Sequence, residues 1–229
     1  MPPAPPPKRH PYDQWAPDAR ALDLVGDKWT LLIVRDLTGG PRRFVELQRT
    51  LPGISTEQLR SRLNRMVADG LLTRQRYREV PPRVDYELTE RARELLPVIG
   101  ELARWGYRWS WSAPRPGEAV DLGAIFRAAS GLSLPPSTRG VLHVIVVHPE
   151  RGALHYGIRA RDGALEYDER PVTDAQATIS APERAWIEAL GPAGSRTELE
   201  VTGDSAFARA VLDAIAAGID QHSARRAAA

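Results

Sequence analysis

The stretch that decides the fold is Leu51–Leu72, which reads LPGISTEQLRSRLNRMVADGLL. Pro52 and Gly53 predict a turn, and Ser55 with Gln58 has the Ser-x-x-Gln spacing of a capping box at a helix N-terminus. Beyond this box, apolar residues follow one stripe of a 3.6-residue period: Leu59, Leu63, Met66 and Val67. The stretch therefore predicts a short loop followed by one amphipathic helix.

The opposite face of this helix is polar and basic. It comprises Glu57, Gln58, Arg60, Ser61, Asn64 and Arg65, with Arg62 at its edge. Alone, this pattern fits a solvated surface helix as well as a nucleic-acid contact, because runs of charge are usually solvated surface. The flanks favour nucleic acid, since a short amphipathic segment, Phe44–Leu47, precedes the helix and an arginine-rich hairpin follows it. This order is that of a winged helix-turn-helix, whose second helix enters the DNA major groove.

The hairpin, or wing, is predicted from two runs in which apolar and polar residues alternate. The two strands and the tip between them are expected at Leu71–Tyr77, Val84–Leu88 and Glu79–Pro82. Successive side chains of a strand point to opposite faces, so Arg74, Arg76 and Arg78 share one face and Tyr77 lies on the other. We therefore expect one face of the wing to be basic.

Charge is distributed unevenly along the 229 residues. The net charge is +2, but residues 1–112 hold 19 Lys and Arg against 14 Asp and Glu, whereas residues 113–229 hold 12 against 15. Ten arginines and four acidic residues lie within 42–83, around the predicted recognition helix. This asymmetry is expected of a nucleic-acid-binding domain joined to a domain with another role, and the length allows two modest cores.

Several functional classes are disfavoured by the composition. The sequence has no cysteine, which excludes disulfides, thiol redox sensing and cysteine-based zinc sites. It has neither an apolar run that could span a membrane nor a signal peptide, so we expect a cytoplasmic protein without a membrane partner. No nucleophile motif or phosphate cradle is recognisable, so no catalytic residue and no cofactor are predicted. His143 and His148 have opposite parity on a β-patterned segment, which disfavours a metal site with His155.

The rest of the first half is predicted to be helical. Residues 1–11 are Pro-rich and expected to form an extended, disordered arm. Asp18 is expected to cap a first helix, and a second, strongly apolar helix is predicted over Asp27–Thr38. A long helix is expected over residues 89–109, with a kink or a division into two helices at Pro97.

Residues from about Tyr12 to Trp111 resemble the HxlR-type winged-helix transcriptional regulators, which are relatives of the multiple-antibiotic-resistance regulators. The resemblance rests on five phrases that occur in order and at the family's spacing. They are ALDLVGDKWTLLIVRDL, GPRRFVELQRTLPGIS, LRSRLNRMVADGLLTR, YREVPPRVDYELTERARELLPVI and LARWG.

The resemblance implies a homodimer in which the first helix and the long helix after the wing pack against their mates. It also implies two recognition helices in successive major grooves of double-stranded DNA, with the wings over the flanking minor grooves. Family members often sense oxidants through a cysteine near the start of the first helix, where this chain has Gln14-Trp15-Ala16-Pro17. Four large aromatic residues are too many for one small core, so some of them are expected to contribute to the twofold contact: Trp15, Trp29, Trp105 and Trp109.

The predicted DNA-binding residues fall into two groups. Side chains at the start and on the outer face of the recognition helix should meet base edges or nearby phosphates: Ser55, Thr56, Gln58, Ser61, Arg62 and Arg65. Arginines of the wing and of the segment before the helix-turn-helix should mainly meet phosphates: Arg42, Arg43, Arg76, Arg78 and Arg83.

The second half is predicted to be a separate domain over residues 118–220, after a linker at 113–117 and before a disordered tail over 221–229. Short β-patterned segments are bracketed by helices there, which is typical of an α+β layer. Residues 174–216 resemble the sterol carrier protein type-2-like fold, which encloses an apolar tunnel for lipid-like ligands. The predicted fold class is thus α+β: a winged helix-turn-helix domain over 12–112 followed by an α/β sandwich-like sensor domain.

This second resemblance implies a hydrophobic small-molecule effector. Its candidate contacts are Phe126, Leu142, Val144, Val146, His148, Tyr156, Ile158, Tyr167, Trp186, Phe207 and Val211. Cores and pockets draw on the same residue types. A domain that only dimerises or supports the structure therefore remains an alternative interpretation, and a lipid carrier or an enzyme is a weaker one.

Overall fold

A computed structural model describes residues 11–77 and 83–216, and it divides into two compact units between Leu96 and Pro97. Several predicted features lie outside the described residues: the arm apart from Pro11, Arg78, the wing tip and the tail over 221–229. No helix in the described ranges is both long and apolar enough to cross a bilayer.

The first unit combines short helices with a small antiparallel sheet. Its elements are α1 (Pro17–Val25), α2 (Thr30–Asp36), β1 (Arg42–Arg43), α3 (Phe44–Thr50), α4 (Thr56–Ala68), β2 (Leu72–Tyr77), β3 (Arg83–Leu88) and α5 (Glu90–Arg93). The strand order is β1-β3-β2. Helices α3 and α4 with the β2–β3 hairpin form the predicted winged helix-turn-helix. Strand β1 is an addition that the sequence pattern did not predict.

Two helices begin at residues other than those predicted. Helix α1 begins at Pro17, ahead of Asp18, because a proline at the first helical position lacks an N–H group that would have no partner within the helix. Helix α2 begins at Thr30 rather than at Asp27. The Asp27 carboxylate instead accepts hydrogen bonds from the backbone N–H groups of Trp29 and Thr30, at 2.9 and 3.1 Å, and so caps the first turn from the preceding loop.

The apolar residues of α2 and α4 form the interior of this unit, as their spacing predicts. Ile33 and Val34 of α2 are completely buried, as are Leu59 and Leu63 of α4. Met66 completes the stripe of α4 and is also buried. Because full burial of such a side chain contributes about 1.5–3 kcal/mol, this stripe holds α4 to the unit and leaves its other face outward.

The second unit is a five-stranded sheet with helices on one face. Its elements are α6 (Leu96–Trp109), α7 (Leu122–Ala129), β4 (Gly140–His148), β5 (Gly152–Arg161), β6 (Ala164–Asp168), β7 (Ala177–Pro182), α8 (Glu183–Leu190), β8 (Glu200–Gly203) and α9 (Ser205–Ile215). The strand order is β6-β5-β4-β7-β8, and neighbouring strands are antiparallel except β4 and β7. Alternate residues of β4 and β7 enter one core together with α7, α8 and α9.

The boundary between the units differs from the predicted linker at 113–117. Helix α6, predicted to end the first domain, packs in the second unit instead. The buried Tyr107 ring lies 5.1 Å from the ring of Trp111, centroid to centroid. The Trp111 indole N–H in turn donates a hydrogen bond to the Leu190 carbonyl at 2.7 Å. Contacts between residues so distant in sequence leave no composition break, so the sequence pattern did not show that α6 packs in the second unit.

The long helix predicted after the wing is divided, as the position of Pro97 led us to expect. Pro97 is the second residue of α6, where its missing N–H needs no partner within the helix. One turn later, Gly100 approaches the backbone of Gly131 so closely that a Cβ built on Gly100 would lie 2.3 Å from the Gly131 carbonyl oxygen. Glycine is therefore required where α6 contacts the turn after α7.

We predict that Gly100→Ala destabilises the second unit by about 1–3 kcal/mol, the usual cost of overpacking, because the backbone of Gly131 must move. Gly106→Ala in the same helix is the matched control, since a Cβ there meets no neighbouring atom of the described chain within 4 Å. That variant should be neutral or stabilising by up to about 1 kcal/mol. Thermal unfolding followed by circular dichroism measures both, and equal melting temperatures would contradict the contact.

Candidate nucleic-acid interface

The start of α4 is held by the predicted capping box. The Ser55 hydroxyl accepts a hydrogen bond from the Gln58 backbone N–H at 3.1 Å, and Gln58 Oε1 accepts one from the Ser55 N–H at 3.1 Å. An N-cap of this kind is typically worth about 1 kcal/mol. Both side chains therefore serve the fold of α4, although both also stand at its exposed end.

Thr56 is tied to the preceding helix. The Gln48 Nε2 group donates a hydrogen bond to Thr56 Oγ1 at 2.9 Å, which joins α3 to the first residue of α4. Gln48 was not predicted as a functional residue, because the sequence shows only that it is a polar side chain in the helix before the turn. This contact orients the exposed Thr56 hydroxyl at the end of α4 that carries the capping box.

The outer face of α4 is polar and open. Glu57, Arg60 and Ser61 are exposed, and Arg65 is half-buried on the same side. Glu57 and Arg60 form an exposed ion pair at 3.3 Å, which contributes little to stability because water screens both charges. This face presents hydroxyl and guanidinium groups, which are the types of side chain that read base edges in a major groove.

Arg62 lies at the edge of this face, as predicted, and forms an ion pair with Asp27. Its Nε lies 3.1 Å from Oδ1 of Asp27, and the two side chains are only 20% and 14% exposed. Arg62 lies on the flank of α4, between the exposed face and the buried stripe, as the sequence indicated. The fold brings the Asp27 carboxylate to this flank, and the arginine turns towards it instead of outward.

The wing is basic on one face, as its alternation predicts. Cross-strand register places Arg42 of β1 and Arg74 of β2 opposite Tyr86, on its two sides, so the three side chains share a face. Arg76, two residues after Arg74, lies on the same face and is exposed, whereas Arg42 and Arg74 are half-buried. Arg78, predicted to continue this row, lies outside the described residues.

The opposite face of the wing holds a second arginine group. Buried Asp85 accepts hydrogen bonds from Arg83 Nε at 2.9 Å and Nη2 at 2.6 Å, and Arg43 Nε lies 3.9 Å away. The hydrogen bonds from Arg83 hold the pKa of Asp85 below its usual value. The Arg83 guanidinium also lies 5.2 Å from the centre of the Tyr77 ring. Arg83 is thus engaged within the wing, which argues against its predicted role at a phosphate.

Two further segments expose large apolar side chains. In α6, four residues recur at helical spacing and are each between 50% and 57% exposed: Val98, Leu102, Trp105 and Trp109. In and before α1, Leu22 is 45% and Trp15 is 96% exposed. Trp29, by contrast, is buried inside the first unit, so it is the one of the four tryptophans that serves the core.

The residues predicted to line a ligand site belong mostly to the core of the second unit. A single buried cluster contains Phe126, Leu142, Val144, Val146, Ile158, Trp186, Phe207 and Val211. The Trp186 indole N–H donates a hydrogen bond to the Ile145 carbonyl at 3.1 Å, and the Phe126 ring lies 5.3 Å from Tyr156. Folding alone demands such burial, so it does not distinguish a pocket from a core.

A buried arginine that the sequence analysis missed lies beside Tyr156 and Tyr167. The Arg127 side chain is 2% exposed and pairs with the carboxylates of Asp121 and Glu169. The Tyr167 hydroxyl donates to Glu169 at 2.9 Å, and its ring stacks on that of Tyr156 at 6.0 Å. Burial raises the pKa of Tyr156 to about 12, and the Asp121 and Glu169 charges act in the same direction. The burial of Arg127 could not be predicted from the sequence, because an arginine is buried only where the fold brings acidic partners to it.

His148, a predicted ligand contact, takes part in the turn between β4 and β5. Its Nδ1 accepts hydrogen bonds from the backbone N–H groups of Glu150 and Arg151, at 3.1 and 3.2 Å, between β4 and β5. His143 and His155 meet each other instead, with Nε2 and Nδ1 3.0 Å apart and the rings stacked. Across residues 11–77 and 83–216, no three or more His, Cys, Asp or Glu side chains gather to hold a metal ion.

Known structures and sequences resemble the first part of this chain. A solved structure described as a MarR-family transcriptional regulator from Porphyromonas gingivalis W83 is 38% identical, covers 43% of this chain and 96% of its own, and has a TM-score of 0.40. The redox regulator HypR in its reduced form is 36% identical, covers 40% of this chain and 90% of its own, and has a TM-score of 0.38.

Curated relatives show the family. An HTH-type transcriptional regulator of Synechocystis is 41% identical over 93 residues, which are 41% of this chain and 69% of the relative. Another, from Halalkalibacterium halodurans, is 42% identical over 96 residues, which are 42% of this chain and 85% of the relative. The HxlR-like helix-turn-helix family matches residues 24–113, which include α4 and the wing. The chain thus belongs to the HxlR-like helix-turn-helix family of transcriptional regulators.

Proposed function

We propose that the protein binds specific DNA sequences as a homodimer on a pseudo-palindromic operator, and that an apolar small molecule in the second unit controls this binding. The DNA-binding part is carried by the outer face of α4. That face belongs to a capped helix, is anchored by a buried apolar stripe, and presents Ser61 and Arg65 outward.

The DNA contacts divide between α4 and the wing. Ser61 and Arg65, with Thr56 at the start of the helix, meet base edges, where a bidentate contact is worth roughly 1–3 kcal/mol of discrimination. Arg43 and Arg76 meet phosphates, which adds affinity for any sequence. We assign supporting contacts to Arg42, which is half-buried, and to the cap residues Ser55 and Gln58. Arg78, which lies outside the described residues, is assigned the same role. Arg62 and Arg83 are left out because both are held by buried carboxylates of the first unit.

The homodimer is supported by the apolar stripe of α6. Val98, Leu102, Trp105 and Trp109 form one face of the helix, and each remains about half exposed. A stripe of this spacing fits a helix–helix contact across a twofold axis. The two copies of α4 then meet half-sites about 10–10.5 base pairs apart.

Control of DNA binding by the second unit is supported by α6, because its two faces take part in different contacts. Gly100 and Tyr107 on its inner face pack in the second unit, while the proposed dimer stripe faces outward. A ligand that alters the packing of that unit therefore acts on the dimer contact. We place the ligand near Phe126, Tyr156 and Tyr167, where the Asp121 and Glu169 side chains are 36% and 37% exposed. The sterol-carrier-like pattern of residues 174–216 suggests a lipid-like ligand.

The burial of every predicted lining residue except His148 favours one alternative. In it, the second unit binds no ligand and serves only as a support for α6. The same contacts at Gly100 and Tyr107 account for this role, so the two functions differ only in whether an effector exists.

We predict that Arg76→Ala weakens binding to all duplexes alike and lowers the salt dependence of binding, by roughly 0.9 in the slope of log K against log salt for each lost phosphate contact. Fluorescence anisotropy with labelled duplexes at several salt concentrations measures both quantities. Arg184→Ala, which removes one exposed arginine from the second unit, is the control of equal charge. If the slope of log K against log salt is the same for Arg76→Ala as for Arg184→Ala, Arg76 of the wing does not contact DNA phosphates.

We also predict that Leu102→Glu makes the protein monomeric at micromolar concentration and abolishes operator binding, because a charge cannot be buried without a partner at the centre of an apolar contact. Val147→Glu is the control, since Val147 is similarly exposed, at 46%, on the sheet of the second unit. Sedimentation velocity distinguishes monomer from dimer. If the Leu102 variant sediments like the Val147 variant, α6 is not the dimer contact.

For the effector, we expect a fatty acid, a sterol-like compound or an aromatic natural product to raise the melting temperature of the full chain, because it binds only the folded state. The same compound should change operator affinity by roughly 5- to 150-fold, the usual range of allosteric coupling. A thermal-shift screen followed by anisotropy measures this. If no compound binds, or if binding leaves operator affinity unchanged, the supporting role alone remains.

A further inference from the structure

The ion pair between Asp27 and Arg62 joins two segments that are distant in the sequence. Asp27 precedes α2, and Arg62 lies in the middle of α4. The Asp27 carboxylate is already held by the N–H groups of Trp29 and Thr30 and by the Thr30 hydroxyl. Arg62 is therefore anchored to a carboxylate whose own position is set by the start of α2.

This ion pair ties the middle of α4 to a carboxylate held by α2, as the Gln48–Thr56 hydrogen bond ties the first residue of α4 to α3. Leu59, Leu63 and Met66 hold the helix by close apolar packing on one face, which resists rotation of α4 but selects no single partner atom. The ion pair is different, because Coulomb attraction between mostly buried charges weakens as they separate. Arg62 lies on the flank of the helix, where rotation moves it directly towards or away from the core.

Rotation of α4 would move all its outward side chains together. At the roughly 5–6 Å radius of a helix with its side chains, a rotation of about 10° displaces the tips by about 1 Å. Binding constellations need their groups within roughly 0.5 Å of the productive position. Ser61 and Arg65 would then be displaced from their contact positions at the base edges. Contacts to phosphates, which carry no sequence information, would be less affected.

We infer that Asp27 and Arg62 are positioning residues that set the rotation of α4 and thereby its sequence discrimination. The inference rests on the proposed function, because it takes α4 as the recognition helix. Neither residue contacts DNA; both act through the outward face of α4.

The test compares Asp27→Asn, Arg62→Gln and the double variant in the full chain. Asp27→Asn removes the charge but retains an oxygen that can accept from the Trp29 and Thr30 N–H groups. The DNA ligands are a duplex that the wild-type protein selects from a random-sequence library and a scrambled duplex of the same length. The ratio of the two affinities is the specificity ratio. Arg184→Gln, which removes an exposed charge from the second unit, is the control.

Each single variant is expected to lower the specificity ratio about tenfold, the scale of one lost base contact. The double variant should lower it no further, because both changes break the same pair. Arg62→Lys, which retains the charge, should restore part of the ratio. Arg184→Gln should leave the ratio unchanged even if it weakens binding to both duplexes.

Other results overturn the inference in distinguishable ways. A loss in Arg62→Gln without a loss in Asp27→Asn would make Arg62 a direct DNA contact. Lower melting temperatures with an unchanged specificity ratio would show a purely structural pair, and unchanged ratios throughout would show that the pair has no effect. A wild-type protein that enriches no duplex would contradict the proposed function itself, and the inference with it.

Discussion

The Asp27 carboxylate joins the start of α2 to the flank of α4. It caps the first turn of α2, the helix with the completely buried Ile33 and Val34, and it pairs with Arg62 on α4. A charge that is mostly removed from water must be matched by a specific partner, whereas an apolar core accepts many arrangements. The apolar residues therefore explain why α4 is held, and this carboxylate explains how it is oriented.

Helix α6 imposes a second constraint, because its two faces belong to different contacts. Gly100 allows the backbone of α6 to approach Gly131, and Tyr107 is buried in the second unit, while Leu102 and Trp105 on the other face stay about half exposed. A truncation at the predicted linker would uncover the inner face of α6. The second unit therefore supports the helix that carries the proposed dimer contact. The family resemblance alone did not suggest this arrangement.

Arginine has two distinct roles in this chain. Arg83 and Arg127 are held by carboxylates inside their own units, and the buried charges of Asp85 and Arg127 are matched in this way. Arg65 and Arg76 instead point outward on α4 and on the wing. The basic character of residues 42–83 is thus only partly available to a nucleic acid, because part of it stabilises the fold.

The sequence by itself determined the features that depend on near neighbours. The Ser55–Gln58 box, the Leu59–Leu63–Met66 stripe and the break at Pro97 were all predictable, because capping, helical periodicity and the missing proline N–H act within one or two turns. Strand alternation likewise predicted the boundaries of β2 and β3 to within one residue. The family phrases added the winged helix-turn-helix arrangement.

Only the tertiary structure decided which partner each ambiguous side chain meets. Two arginines of the same helix have different environments: Arg62 forms an ion pair, whereas Arg65 lies on the open face. Two tryptophans likewise differ, because Trp186 is buried in a core and Trp105 is exposed. These outcomes depend on residues that are distant in the chain, such as Asp27 for Arg62 and Gly131 for Gly100. Long-range packing and charge pairing leave no periodic trace in the sequence, because they arise only when the folded chain brings the partners together.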